Sequence, residues 1–368
     1  MTISFFLSNF DIFFNSHAST IVNCQELLDA LKWHDMGWDI LGHEWAAEML
    51  RQHIAQGTRK HAYLFAGPPG VGRRTLALRF AQAVNCLQPT EIGAPCGTCR
   101  TCQQIARMQQ ADLTIVQSEA VGESIKVDQI RDLRRTLALA PYESAYRVAL
   151  LLRFNEATEE AQNALLKTME EPNPKVLLLL TVDEPENLRA TIVSRCELLR
   201  LRPMPIEELR SVLIERKGVA EERAHLIAHV AGGRPGYAFR FIEDEGLWAS
   251  RDAWVNDFFT LLDSNLRKRL AYSESKTRGK ERAEARLELR DGLAHWLSLW
   301  RDVLLKCSGS GTALTNIDRE REITRLAERL SERDAAYFVG RLEHNFARLA
   351  TANLQLMLDN LLLGWPRI

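Results

Sequence analysis

Between residues 60 and 201, short apolar runs alternate with amphipathic stretches. HAYLFAG (61–67), RVALLLRF (147–154) and KVLLLLTV (175–182) are close to continuously apolar, and LTIVQS (113–118) is a shorter run. Between them, TLALRFAQAVNC (75–86), VDQIRDLRRTLALA (127–140) and EEAQNALLKTMEE (159–171) repeat their apolar residues at helical spacing, the last two stopping at Pro141 and Pro172. Strands apolar on both faces, joined by helices, predict a parallel sheet covered on both sides, an α/β fold. After RPMP (202–205) the pattern changes. IEELRSVLIERKG and EERAHLIAHVAGG predict two short helices with glycine stops, a small helical unit that closes near Phe241. From about 246 to 368 the pattern is helical throughout, with Trp248, Trp254, Trp296 and Trp300 among leucine-rich faces. The mixed-charge stretch 267–290 reads as a solvated helix pair around Gly279, and GSGT (309–312) as a loop.

At 368 residues the chain exceeds one compact domain, and two or three are expected. Lys and Arg number 47 against 48 Asp and Glu, a net charge of −1, so no global basic field draws the chain onto nucleic acid. The apolar run at residues 1–17 lacks a basic flank and a small-residue cleavage site, and Asn9, Asp11 and Asn15 interrupt it. It is neither a secretory signal nor a membrane span, and a cytoplasmic location is expected. Recognisable domain sequence starts near Trp38, so residues 1–36 are read as an extension or an upstream mis-start.

Four of the seven cysteines fall within 17 residues, in the pattern Cys86-x9-Cys96-x2-Cys99-x2-Cys102. Two-residue gaps let consecutive thiolates face one tetrahedral ion, with Gly93, Pro95 and Gly97 turning the chain. Sulfur-only ligation favours zinc, with an iron–sulfur cluster as the rival, and four protein ligands leave no open position for water.

GPPGVGRRT (67–75) follows a strand and opens a helix, the context of a phosphate-binding loop. Gly67, Gly70 and Gly72 let the backbone curl, and the helix N-terminus adds positive potential. Arg73 and Arg74, followed by Thr75, stand where lysine and a magnesium-binding hydroxyl belong. Arg74 is the graver change, because two cations there repel the metal. The strand RVALLL ends in Leu152-Arg153-Phe154-Asn155 without the carboxylate that polarises magnesium; the nearest acid, Glu156, is past it. Hydrolysis by this chain is expected to be negligible. Two readings of the loop stand: a relic of the fold without ligand, or residual binding of ATP or ADP through the glycine backbone.

DILGHEWA (39–46), HAYLFAGPPGVG (61–72), the cysteine cluster, IKVDQIRDLRRTL (125–137), PYESAYRVALL (141–151), NALLKTMEEP (163–172) and SRC (194–196) together resemble the delta-prime subunits of bacterial DNA polymerase III clamp loaders, within the AAA+ family. The likeness covers residues 37–240 strongly and the remainder by helical character alone. It implies an AAA+ P-loop module over 37–203 with a zinc-binding insertion at 86–102, a helical lid over 204–242 and a helical collar for oligomerisation over 246–368. It implies structural zinc on Cys86, Cys96, Cys99 and Cys102. A lone arginine after a helix is ordinarily a surface residue, but the SRC setting implies that Arg195 is an arginine finger acting in trans. The family's second sensing arginine falls at Gly236, with Arg234 two residues earlier as the alternative. Implied partners are gamma/tau-type ATPase and delta-type subunits and, indirectly, the sliding clamp and primer-template DNA. The chain would then be a non-catalytic component of a polymerase holoenzyme. Two other readings are a working ATPase that uses Arg73 in place of lysine and a zinc-dependent DNA-binding protein.

Overall fold

The computed structural model describes residues 38–119, 123–279, 281–349 and 352–367. The expected extension over residues 1–36 lies outside the described residues. The apolar runs form strands β1 (Ala62–Ala66), β2 (Leu113–Val116), β3 (Arg147–Leu151) and β4 (Val176–Val182). A fifth strand, β5 (Glu197–Arg200), was not foreseen: it is four residues long and buries only Leu199, which leaves almost no apolar signature. All pairings are parallel, in the order β2-β3-β4-β1-β5.

Helices α1 (Glu44–Ala55), α2 (Arg73–Asn85), α3 (Arg100–Ala106), α4 (Val127–Leu137), α5 (Glu159–Glu170) and α6 (Ala190–Val193) accompany the sheet. The strands feed two cores by period-2 alternation. Tyr63, Phe65, Leu177 and Leu179 enter one core, and Ala62, Leu64, Leu178 and Leu180 the other. Helix α4 ends at Leu137, short of the apolar pattern, since the residue before Pro141 is steered out of the helical region. Helix α5 is capped by Thr158, whose hydroxyl accepts the Ala161 N–H, with Glu159 and Glu160 at the positive end of its dipole.

The next unit holds three helices rather than the expected two: α7 (Ile206–Lys217), α8 (Glu221–Ala231) and α9 (Pro235–Glu243). Pro235 opens α9, a position where its missing N–H costs nothing. These helices share one small core around Leu209, Leu213, Ile227 and Phe241. Trp248 joins that core, with its indole N–H donated to the Phe241 carbonyl, rather than the C-terminal one.

The C-terminal part comprises α10 (Glu245–Leu262), α11 (Leu266–Thr277), α12 (Arg282–Cys307), α13 (Glu320–Ala327), α14 (Glu332–Arg348) and α15 (Leu354–Leu363). Trp254, Trp296, Trp300, Trp365 and Phe258 interlock at its centre, mostly edge to face. Gly292 allows this, because a Cβ there would lie 2.3 Å from the Trp254 ring. No described helix is long and apolar enough to cross a membrane.

The charged stretch 267–290 is a helix pair turning at Gly279 (φ +75), as expected, but it is not wholly solvated. Arg269 is 1% exposed and donates to the carbonyls of Leu261, Leu262, Leu362, Trp365 and Pro366, where α10 and α15 end. It satisfies carbonyls that the helices cannot pair internally and meets the negative ends of both dipoles. Arg269→Met should lower the unfolding free energy by about 3–5 kcal/mol, since it removes a buried guanidinium and leaves the carbonyls of Leu262, Trp365 and Pro366 without their donor. Chemical denaturation checks this, and a loss under about 1 kcal/mol would contradict it.

Candidate functional site

Strand β1 lies between β4 and β5, so the loops after β1 and β4 open side by side at the carboxyl edge, where α/β sheets hold ligands. The loop 67–72 sits there. Gly67 (φ +153) must be glycine, because a Cβ would lie 2.3 Å from the Leu201 carbonyl oxygen, and its N–H is bonded to the carbonyls of Val182 and Asp183. His43 is buried beneath the loop, its Nε2 2.9 Å from the Val71 carbonyl. Burial holds its pKa below the usual histidine value.

Arg73 is the first residue of α2 and is 9% exposed. Its guanidinium lies 2.6 Å from Asp183 Oδ1, at the end of β4. Arg74 and Thr75 are both exposed. The two arginines therefore do not act as a pair: one is buried and neutralised by a carboxylate, the other faces solvent. Asp183 was missed from the sequence, although an acid directly after a buried strand beside the loop was a readable signal.

Beyond β3, Arg153 adopts a left-handed backbone (φ 49) and donates its N–H to Thr181 Oγ1 at 2.9 Å. Its Nε reaches Glu156 Oε1 at 2.9 Å and its Nη2 reaches Ser118 Oγ at 3.0 Å, while Ser118 donates to Glu156. Glu156 is thus committed to a local triad. An uncommon backbone conformation for a non-glycine residue marks the strand end where a metal-polarising acid would stand.

The three-helix unit touches the loop directly. The Gly236 N–H donates to the Gly70 carbonyl at 2.8 Å, and a Cβ on Gly236 would sit 3.0 Å from that oxygen. A Cβ on Gly70 (φ +82) would in turn meet Tyr237 at 3.0 Å. Arg234 does not substitute for a side chain at 236: its Nε caps the Ala231 carbonyl at 2.7 Å and its guanidinium lies over Tyr237.

The four thiols of Cys86, Cys96, Cys99 and Cys102 converge, with all sulfur atoms within 4.8 Å of one another and none in a disulfide. Backbone N–H groups of Cys96, Cys99 and Cys102 donate to the sulfurs of Cys86, Cys96 and Cys99, stabilising thiolate charge. Burial pushes the Cys86 and Cys102 thiols up. Burial also opposes ionisation of Cys96, but N–H donors from Cys99 and Thr98 outweigh it and bring that thiol down to about 6. Four sulfurs so gathered could bind a metal ion, and tetrahedral sulfur ligation fits them. Trp38 and Gln82 pin the excursion through the carbonyls of Gly93 and Cys102.

Arg195 lies two residues before β5. Glu197 is level with Tyr63 near the start of β1, whereas the phosphate-type loop begins after Ala66. At about 3.3 Å per residue, Arg195 and the chain's own loop are roughly 13 Å or more apart, at opposite ends of the sheet. The guanidinium is half-exposed: Nη1 donates to the Thr191 carbonyl at 3.0 Å, and Nη2 lies 3.1 Å from Glu170 Oε1.

Residues 42–205 match the family model described as DNA polymerase III, delta subunit. The delta-prime subunit of Pseudomonas aeruginosa is 34% identical over 229 residues, which cover 61% of this chain and 68% of that one. The chain belongs to the DNA polymerase III delta/delta-prime family of clamp-loader AAA+ proteins. The delta-prime subunit of Bacillus subtilis is 35% identical over 184 residues, half of this chain and 54% of that one. The tau subunit of Escherichia coli is 35% identical over 211 residues, 55% of this chain but only 32% of the relative, so the chain spans about a third of the tau proteins it matches. Among solved structures, a gamma subunit-related protein of Thermotoga maritima aligns over 86% of this chain and 97% of its own, with 16% identity and a TM-score of 0.44.

Proposed function

We propose that this chain is a delta-prime-like clamp-loader subunit that does not hydrolyse ATP and supplies Arg195 in trans to a gamma/tau-type ATPase beside it. The observation that carries the first half is the Arg73–Asp183 ion pair, 2.6 Å long, in the pocket where a lysine should meet phosphate. Phosphoryl transfer depends on positioning and on metal-assisted charge stabilisation. Here the cation is already neutralised, the hydroxyl is replaced by an exposed arginine, and the adjoining acid is held by Arg153 and Ser118. The contact between Gly236 and Gly70 leaves little room for a sensing side chain at position 236. The second half is supported by the placement of Arg195 at the far end of the sheet, out of reach of its own pocket.

In this reading the helical C-terminal unit joins delta-type and ATPase subunits, and the assembly acts on a sliding clamp at primer-template DNA in the cytoplasm. Zinc on Cys86, Cys96, Cys99 and Cys102 would supply local folding energy rather than catalysis, because four thiolates complete its coordination.

The test is turnover by the purified chain with magnesium and ATP. The expected result is no hydrolysis above a Gly72→Val control, and an Asp183→Asn variant that stays inactive. Clear hydrolysis abolished by the Gly72 change would establish the working-ATPase reading instead.

A further inference from the structure

We infer that Glu170 is the positioning residue for the Arg195 finger, which deepens the proposal above and rests on it. Arg195 follows the four-residue helix α6, with one backbone bond from its N–H to the Ile192 carbonyl at 3.1 Å. A side chain on so short a support would ordinarily sweep many rotamers. Here the Thr191 carbonyl takes one Nη and Glu170, the last residue of α5, takes the other. These partners grip the guanidinium from the protein side.

A guanidinium has five N–H donors in one rigid plane, so two inward bonds leave three for an outside acceptor. Those three have no partner among the described residues, and the arginine side chain is 36% exposed. The arrangement fixes the plane of the fork before a phosphate arrives, so little further rotamer freedom is lost at the moment of reaction. Glu170 is 52% exposed and carries a single negative charge, whereas a transferring triphosphate carries several. The carboxylate therefore steadies the finger without outcompeting its target. It also comes from the end of α5 that precedes β4, so it sits at the same edge of the sheet as Arg195 and away from the chain's own loop.

The experiment uses the complex reconstituted from this chain with gamma/tau-type and delta-type subunits, the ATPase subunits carrying their own equivalent arginines as alanine so that Arg195 is the one finger supplied. Glu170→Ala should lower kcat about fivefold, the range set by a partly exposed ion pair, with KM for ATP unchanged because ATP binds in the neighbour. Glu170→Gln keeps an acceptor oxygen and should recover turnover to within about twofold. In an Arg195→Ala background, Glu170→Ala should have no additional effect, the signature of coupling through that side chain. Unchanged or raised kcat in Glu170→Ala, beside a collapse in Arg195→Ala, overturns the positioning role and leaves the finger standing. Equal losses with and without Arg195 overturn it too. Full turnover in Arg195→Ala overturns both.

Discussion

Arg195→Ala should cut ATP turnover at the neighbouring site by about 10³-fold, in the complex where it is the one finger supplied, while the variant still folds and assembles. The large effect comes from electrostatics in the transition state: a guanidinium delivered to a transferring phosphoryl group meets charge that water would otherwise have to solvate. Small structural effects follow from position. The side chain is half-exposed and its one ion pair, to Glu170, is exposed as well, so its removal should change stability by less than about 1 kcal/mol. Arg195→Lys should recover little, because a compact ammonium cannot span two phosphate oxygens in a fixed plane. Turnover of the complex by coupled assay, with size-exclusion chromatography to verify assembly, reads both parts. An assembled variant at full speed would remove Arg195 from the mechanism.

The second large effect concerns the cysteines. Wild-type protein should contain one zinc per chain by elemental analysis and show no visible absorption, which separates zinc from an iron–sulfur cluster. Cys96→Ser with Cys99→Ser should abolish zinc binding and expose amides of residues 86–106 to hydrogen exchange. Two sulfurs disappear from the set, and with them the N–H···S bonds that Cys96 and Cys99 accept from the backbone of Cys99 and Cys102. Structural zinc contributes about 10 kcal/mol or more of local folding free energy, so this excursion should lose its order outright. The sheet beneath should keep most of its protection, because Ile105 is the one residue of the excursion among the described buried residues of its two cores. A full complement of zinc in the double variant, or an unchanged exchange pattern, would rule the four-sulfur site out.

Much of the fold was readable along the chain because the strongest signals were local. β1, β3 and β4 are runs whose every residue is buried, and a period of one apolar residue after another survives without tertiary context. β5 was not readable, since a four-residue edge strand contributes one buried side chain. Helix α9 was missed because a Gly-Gly-Arg-Pro-Gly segment reads as a loop until Pro235 is recognised as a helix start. Arg269 looked solvated on composition, as most arginines in mixed-charge stretches are. Its burial depends on two helix ends meeting, at Leu261 in α10 and Leu362 in α15, far apart in sequence.

The candidate site divides along the same line. Side-chain chemistry alone showed that a hydroxyl is missing from the position after Arg73 and an acid from the end of β3, and that four thiols are spaced for one metal ion. Those are statements about which atoms exist within a few residues of each other, and chain order suffices for them. Folding alone assigned Asp183 to Arg73, laid Gly236 on Gly70, and set Arg195 and Glu170 at the edge of the sheet away from the loop. Each of these joins segments distant in sequence, and the Arg73–Asp183 pair depends on the register of β1 against β4. That register is set by the burial of two opposite sheet faces at once, a condition no single segment carries.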